Sequence, residues 1–131
     1  MKLALVVDDS MLIRHTVCSF LEDRGYNVEA ATNGQEAMEI LGTVKPDLIV
    51  TDMEMPHMTG AQLIEVLKAK PETACIPVII LEAKKAQPSL PVGGIVKFVI
   101  HKDIDIEEQL QKALNIATGA PVPKKKNHPS K

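Results

Sequence analysis

The sequence predicts an α/β protein: a doubly wound five-stranded parallel sheet with helices on both faces. Short branched apolar runs recur along the chain, at Leu3-Ala4-Leu5-Val6-Val7, Leu48-Ile49-Val50-Thr51 and Pro77-Val78-Ile79-Ile80-Leu81. Near-continuous runs of this kind read as strands buried on both faces. Between them lie stretches whose apolar residues repeat at helical spacing, with glycines, prolines and capping residues at the joints. Strand and helix patterns that alternate in this way make a parallel sheet with crossover helices the default architecture.

Residues from about 2 to 8 form the first strand. Ser10 can cap a helix running to Arg24, with Ile13, Val17, Phe20 and Leu21 as its apolar stripe and Gly25 as its end. Tyr26 to Ala30 is a short second strand. Asn33-Gly34 opens a second helix, Gln35 to Leu41, which stops at Gly42. Pro46 introduces a third strand over Asp47 to Asp52. After a loop to Gly60, Ala61 to Lys70 is a third helix with Leu63, Ile64 and Leu67 inward. Pro77 to Leu81 is the fourth strand. Lys84 to Gly94 carries Pro88, Pro91 and two glycines, so the fourth helix is expected to be irregular or short. Ile95 to His101 returns as strand five. Asp105 then caps a last helix, with Glu108 three residues on as a capping box and Leu110, Leu114 and Ala117 on its core face. Residues 119–131 lack apolar periodicity and are expected to be a disordered Pro/Lys-rich tail after a single domain over 1–118.

A chain of 131 residues fits one domain with a substantial core. The only aromatics are Phe20, Tyr26 and Phe98, so that core is aliphatic. A formal net charge of −2 gives no global pull toward nucleic acid or membrane. The apolar stretches are far too short for a helical membrane span, and the first residues read as a strand rather than a signal peptide. Cys18 and Cys75 lack metal-ligand spacing and read as reduced, buried thiols of a cytoplasmic protein. His15, His57, His101 and His128 are scattered without zinc spacing. Lys124-Lys125-Lys126 reads as a solvated tail, and no helix-turn-helix pattern follows, so neither nucleic acid nor membrane is an expected partner.

The candidate chemistry lies at strand ends. Asp8 and Asp9 close the first run, and Asp52 closes the third. In such sheets ligands bind beyond the carboxyl ends of the strands, where the strand order reverses. If the two strands are neighbours, three carboxylates converge there. They repel, so they hold a proton or bind a hard cation, and Mg²⁺ suits them. Each residue also has a plainer reading: Asp9 and Ser10 as a helix cap, Asp52 as a turn residue before Pro56. Lys102, after Phe98-Val99-Ile100-His101, weakens those readings, because an amine there can neutralise a phosphoryl group across the sheet end.

Val7-Asp8-Asp9-Ser10, the segment Pro46 to Gly60 with Thr51-Asp52-Met53-Glu54-Met55-Pro56, and Pro77 to Leu81 together resemble the receiver domain of bacterial two-component response regulators. With the last strand and helix the resemblance spans about residues 2 to 118. It implies a flavodoxin-like strand order, 2-1-3-4-5, and a phosphorelay role with Asp52 as phosphoacceptor from a histidine kinase or phosphotransfer protein. It further implies that Asp9, Asp52 and the backbone carbonyl of Glu54 ligate Mg²⁺, that Asp8 acts through water, and that Lys102 binds a phosphoryl oxygen. Output would be docking to a downstream protein that the sequence does not identify. No enzymatic activity is expected beyond self-phosphorylation from a donor and self-dephosphorylation.

Two features depart from the family. Where receivers carry Ser or Thr at the end of strand four, this chain has Glu82, which cannot donate a hydrogen bond when ionised. At roughly 5 Å and an effective dielectric near ~20, each unit of phosphoryl charge would meet about 3 kcal/mol of repulsion from it. Glu82 can instead swing into water or pair with Lys102. The lysine register is the second departure. Counting from Gly94 and Phe98 puts His101 at the family's lysine and Phe98 at its switch aromatic; counting back from Asp105 puts Lys102 there. The cap motif is the stronger anchor. Two functions follow: a stand-alone phosphorylatable switch, or an atypical receiver-like interaction module whose switch Glu82 has uncoupled. An ordinary hydrolase built on the three aspartates is a weaker third.

Overall fold

A computed structural model of the protein describes residues 2–55, 57–83, 93–102 and 105–119. Its elements are β1 (Leu3–Val7), α1 (Met11–Glu22), β2 (Asn27–Ala31), α2 (Gly34–Leu41), β3 (Leu48–Asp52), α3 (Gly60–Ala69), β4 (Val78–Glu82), β5 (Val96–His101) and α4 (Ile106–Thr118). The five strands form one sheet in the order β2-β1-β3-β4-β5, and every pair is parallel. The strand order reverses between β1 and β3, whose carboxyl ends carry Asp8 and Asp52.

The apolar runs form strands because both of their faces are covered. Alternate residues fall into two aliphatic layers. Val6, Val50, Ile79, Leu81 and Ile100 pack with Val17, Phe20 and Leu21 of α1 and Leu110, Ala113 and Leu114 of α4. Leu5, Val7, Ile49, Val78 and Ile80 pack with Ala37 of α2 and Leu63, Ile64 and Leu67 of α3. Each fully buried Leu or Ile contributes about 1.5–3 kcal/mol by leaving water.

The caps at Ser10 and Asn33 are those expected from the sequence, and Thr59 is a further one at α3. Ser10, Asn33 and Thr59 each accept an amide from three residues on, at Ile13, Glu36 and Gln62. At α4, Asp105 accepts the Glu108 amide at 3.1 Å. The side chain that turns back toward this cap is that of Gln109, not Glu108.

Several boundaries move. The first helix stops at Glu22, and Gly25 lies in the turn beyond it with φ 93°. Tyr26 is a buried core residue just before β2 rather than its first strand residue. The cysteines were expected to be buried, but Cys18 is half-buried and Cys75 exposed. Cys18 lies beside the α1 stripe rather than on it, and Cys75 lies in the turn before β4. Of the irregular segment, residues 84–92 lie outside the described residues, as does the tail from residue 120. Gly93, with φ 154°, and Val96 exchange backbone hydrogen bonds of 2.8 and 3.0 Å just before β5. Among the described residues, no helix is long and apolar enough to cross a membrane.

The β4–β5 ladder contains a bulge. Val78 pairs with Val96, but Ile79 pairs with Phe98, so Lys97 is an extra residue in β5. A bulge of this kind shifts every later side chain by one place. The extra residue lies between Gly94 and Lys102, so it lengthens the count from that glycine by one. Phe98 follows the bulge, so the count from Phe98 to His101 does not cross it.

Candidate functional site

Asp8 follows β1 and is fully buried. Its amide donates to the Ala31 carbonyl at 3.1 Å, its Oδ1 accepts the Ser10 amide at 2.8 Å, and its carbonyl accepts Arg14 Nη1 at 2.8 Å. The carboxylate is thereby fixed by the same turn that starts α1. Ser10 is the cap, which leaves the exposed Asp9 free to turn its carboxylate toward its neighbours.

Asp52 ends β3, pairs with Leu81 across the ladder and is 3% exposed. Its Oδ1 accepts the Glu54 amide at 3.4 Å. Gly60 lies directly beneath it: a Cβ there would overlap the Asp52 carbonyl oxygen. Within the same loop His57 adopts φ 70°, a left-handed conformation that is costly for a residue with a Cβ.

The carboxylates of Asp8, Asp9 and Asp52 each offer an oxygen within 4.8 Å of the others. Lys102 reaches in from beyond β5, its Nζ 2.9 Å from Asp8 Oδ2 and 3.1 Å from Asp52 Oδ1. The expected convergence of two strand ends and one lysine is what the sheet order produces. His101, the register alternative, is placed elsewhere: its Nδ1 is 3.5 Å from Glu82 Oε2.

The electrostatics of this cluster are unbalanced. With all three acids ionised, one ammonium leaves two negative charges over. Burial, and then the negative charge of Asp8, push the Asp52 carboxyl above its ordinary value, against the pull of Lys102 and the Glu54 amide. Burial alone would lower the Lys102 ammonium, but its contacts with Asp8 and Asp52 outweigh that and hold it above its ordinary value. Asp8 Oδ2 makes no aligned hydrogen bond among the described residues and meets only the ammonium at ion-pair range. An oxygen-only set with spare lone pairs and excess negative charge fits a hard cation such as Mg²⁺.

Glu82 does not take either position expected from the sequence. It is 6% exposed, so it does not swing into water. Its ion-pair partner among the described residues is His101, while Lys102 is engaged by the two aspartates. Glu82 and His101 are cross-strand neighbours, which explains the pairing. Phe98 packs with the layer formed by α1 and α4. With Lys102 as the lysine, Val99, on the opposite layer, stands where the register puts a switch aromatic.

Sequence reasoning missed Arg14 and Gly60. Arg14 is visible only once α1 has a phase that brings position 14 under the Asp8 carbonyl. Gly60 carries a signal, a glycine seven residues after Met53, but the sequence marks it only as the end of a loop, whereas it is the first residue of α3.

A family model described as the response regulator receiver domain matches residues 4–115. The chain belongs to the response regulator receiver domain family. This receiver is 33% identical over 113 residues to Protein PilH of Pseudomonas aeruginosa, covering 85% of this chain and 93% of that protein. It is 42% identical over 80 residues to the probable transcriptional regulator ycf29 of Porphyra purpurea; the shared stretch covers 61% of this chain and only 38% of that protein. Among solved structures it is similar to the chemotaxis response regulator CheY4 of Vibrio cholerae, with TM-score 0.74 and 26% identity, covering 88% of this chain and 98% of that one. The protein is thus a receiver of two-component signalling, with the flavodoxin-like strand order of its relatives.

Proposed function

We propose that this receiver accepts a phosphoryl group on Asp52 from a histidine kinase or phosphotransfer protein and signals by docking to a downstream protein. The observation that carries the reading is the placement of the buried Asp52 carboxylate within ion-pair distance of Lys102 and beside Asp8 and Asp9. Asp52 attacks the phosphorus, a new O–P bond forms, and the donor's bond to phosphorus breaks with its electron pair leaving on the donor. Lys102 neutralises a phosphoryl oxygen. Asp9, Asp52 and the Glu54 carbonyl would hold Mg²⁺, with Asp8 acting through water. When bound, the cation supplies charge neutralisation between the carboxylate and the incoming anion. The chain performs no turnover on other substrates in this reading, only formation and hydrolysis of its own acyl phosphate. A donor of this class implies the cytoplasm as its compartment. Residues 1–118 form the working domain.

A second reading is favoured by Glu82, buried and paired with His101 where a hydroxyl is usual. Here the protein binds its partner whatever the state of Asp52. Incubation with acetyl phosphate and Mg²⁺ should add one phosphoryl mass to the parent and none to Asp52→Asn. Labelling that persists in the mutant removes Asp52 as the acceptor. If the parent is labelled but binds its partner equally in both states, the second reading stands.

A further inference from the structure

The strand that delivers Lys102 lies at the edge of the sheet, and its end is held by a device outside the acid cluster. In a parallel ladder alternate residues turn their amide and carbonyl toward one neighbour. The Lys102 amide donates to the Glu82 carbonyl at 2.9 Å, so the intervening His101 turns its own amide and carbonyl to the free edge. The Gln109 side chain meets both. Its Oε1 accepts the His101 amide at 3.0 Å, and its Nε2 donates to the His101 carbonyl at 2.8 Å. The same Nε2 donates to the Asp105 carbonyl at 3.2 Å, the N-cap of α4. One carboxamide thus stands in for a sixth strand at a single residue and ties β5 to the first turn of α4. The residue it grips is next to Lys102, whose Nζ lies between Asp8 and Asp52.

We infer that Gln109 is a positioning residue for phosphoryl acceptance, holding Lys102 at the acid cluster by clamping the backbone of His101. The role rests on the phosphoacceptor reading of Asp52. It also uses a property particular to the carboxamide. Only a group that donates and accepts in one plane can satisfy both edge groups of His101, so neither leucine nor glutamate substitutes for it. Because Lys97 is an inserted residue in β5, the strand's pairing with β4 leaves room for an alternative alignment. The clamp opposes that slip at the end where the lysine sits.

The test compares parent, Gln109→Leu, Gln109→Glu, Lys102→Met and the Gln109→Leu/Lys102→Met double variant. Calorimetry measures beryllofluoride affinity at fixed Mg²⁺, and amide hydrogen exchange is followed in metal-free protein. Gln109→Leu should weaken beryllofluoride binding about tenfold, the scale of losing one to two neutral hydrogen bonds. Gln109→Glu, which keeps size and acceptor but not the donor, should show a loss of the same sign. The Lys102 amide should exchange faster in both, while amides of β1 remain unchanged. In the Lys102→Met background the leucine substitution should add no further loss, the non-additivity of residues acting as a unit. Independent, additive losses would overturn the role, as would unchanged affinity in both Gln109 variants. A parent that binds no beryllofluoride overturns the phosphoacceptor reading itself and takes this role with it, an outcome distinct from a parent that binds and variants that match it.

Discussion

Asp52 is held against its own preference. Burial and Asp8 raise its pKa, and in the unfolded chain the same carboxyl titrates near its ordinary value of 3.8. The folded state therefore binds this proton more tightly, and the group's contribution to stability falls as pH rises from about 3.8 through the raised folded value. In metal-free protein, Asp52→Asn should raise the unfolding temperature at neutral pH, with the gain shrinking as pH falls toward 4. Thermal unfolding in chelator across that range checks the sign; a gain that grows in acid would contradict it. His57 tests the loop beside it. At φ 70° a glycine relieves backbone strain but adds freedom to the unfolded chain. His57→Gly should stabilise by about 0.5–1 kcal/mol in urea unfolding, the difference between those opposing effects.

At the scale of elements, the proposed switch turns on the ends of β4 and β5. Glu82 is buried and pairs with His101, its cross-strand neighbour, rather than turning out into water. An anion fixed there opposes a phosphoryl group, so Glu82→Thr should raise beryllofluoride affinity at fixed Mg²⁺. High salt should reduce the effect only slightly, since close charges are poorly screened. Equal affinities would mean that the carboxylate is too remote to matter. The strands and caps were legible in the sequence because two-sided burial and side-chain capping are local patterns: Leu63, Ile64 and Leu67 lie inward as their spacing requires. The bulge at Lys97 was not, because no residue there announces it. Pairings such as Glu82–His101, Arg14–Asp8 and Gln109–His101 depend on which strands are neighbours and how helices are phased, information that arrives only with the fold.

For the molecule as a whole, two aliphatic layers close the sheet on both faces and leave an uncompensated acid cluster at its carboxyl end. A cation binding there stabilises the folded state by mass action, by about 2.7 kcal/mol at a hundredfold excess over Kd. The unfolding temperature should therefore climb with Mg²⁺, and Asp9→Ala should remove most of that climb while leaving the metal-free fold intact. A mutant with the full Mg²⁺ response would place the cation elsewhere. The central claim is narrower: of the carboxylate residues around this site, Asp52 alone accepts phosphoryl. The most direct measurement treats the protein with acetyl phosphate and Mg²⁺, reduces the acyl phosphate with borohydride, and maps the reduced residue by peptide mass spectrometry. Reduction at Asp52 is the predicted result. Reduction at Asp8, Asp9 or Glu54, or no reduced residue in a protein that has gained phosphoryl mass, would contradict it.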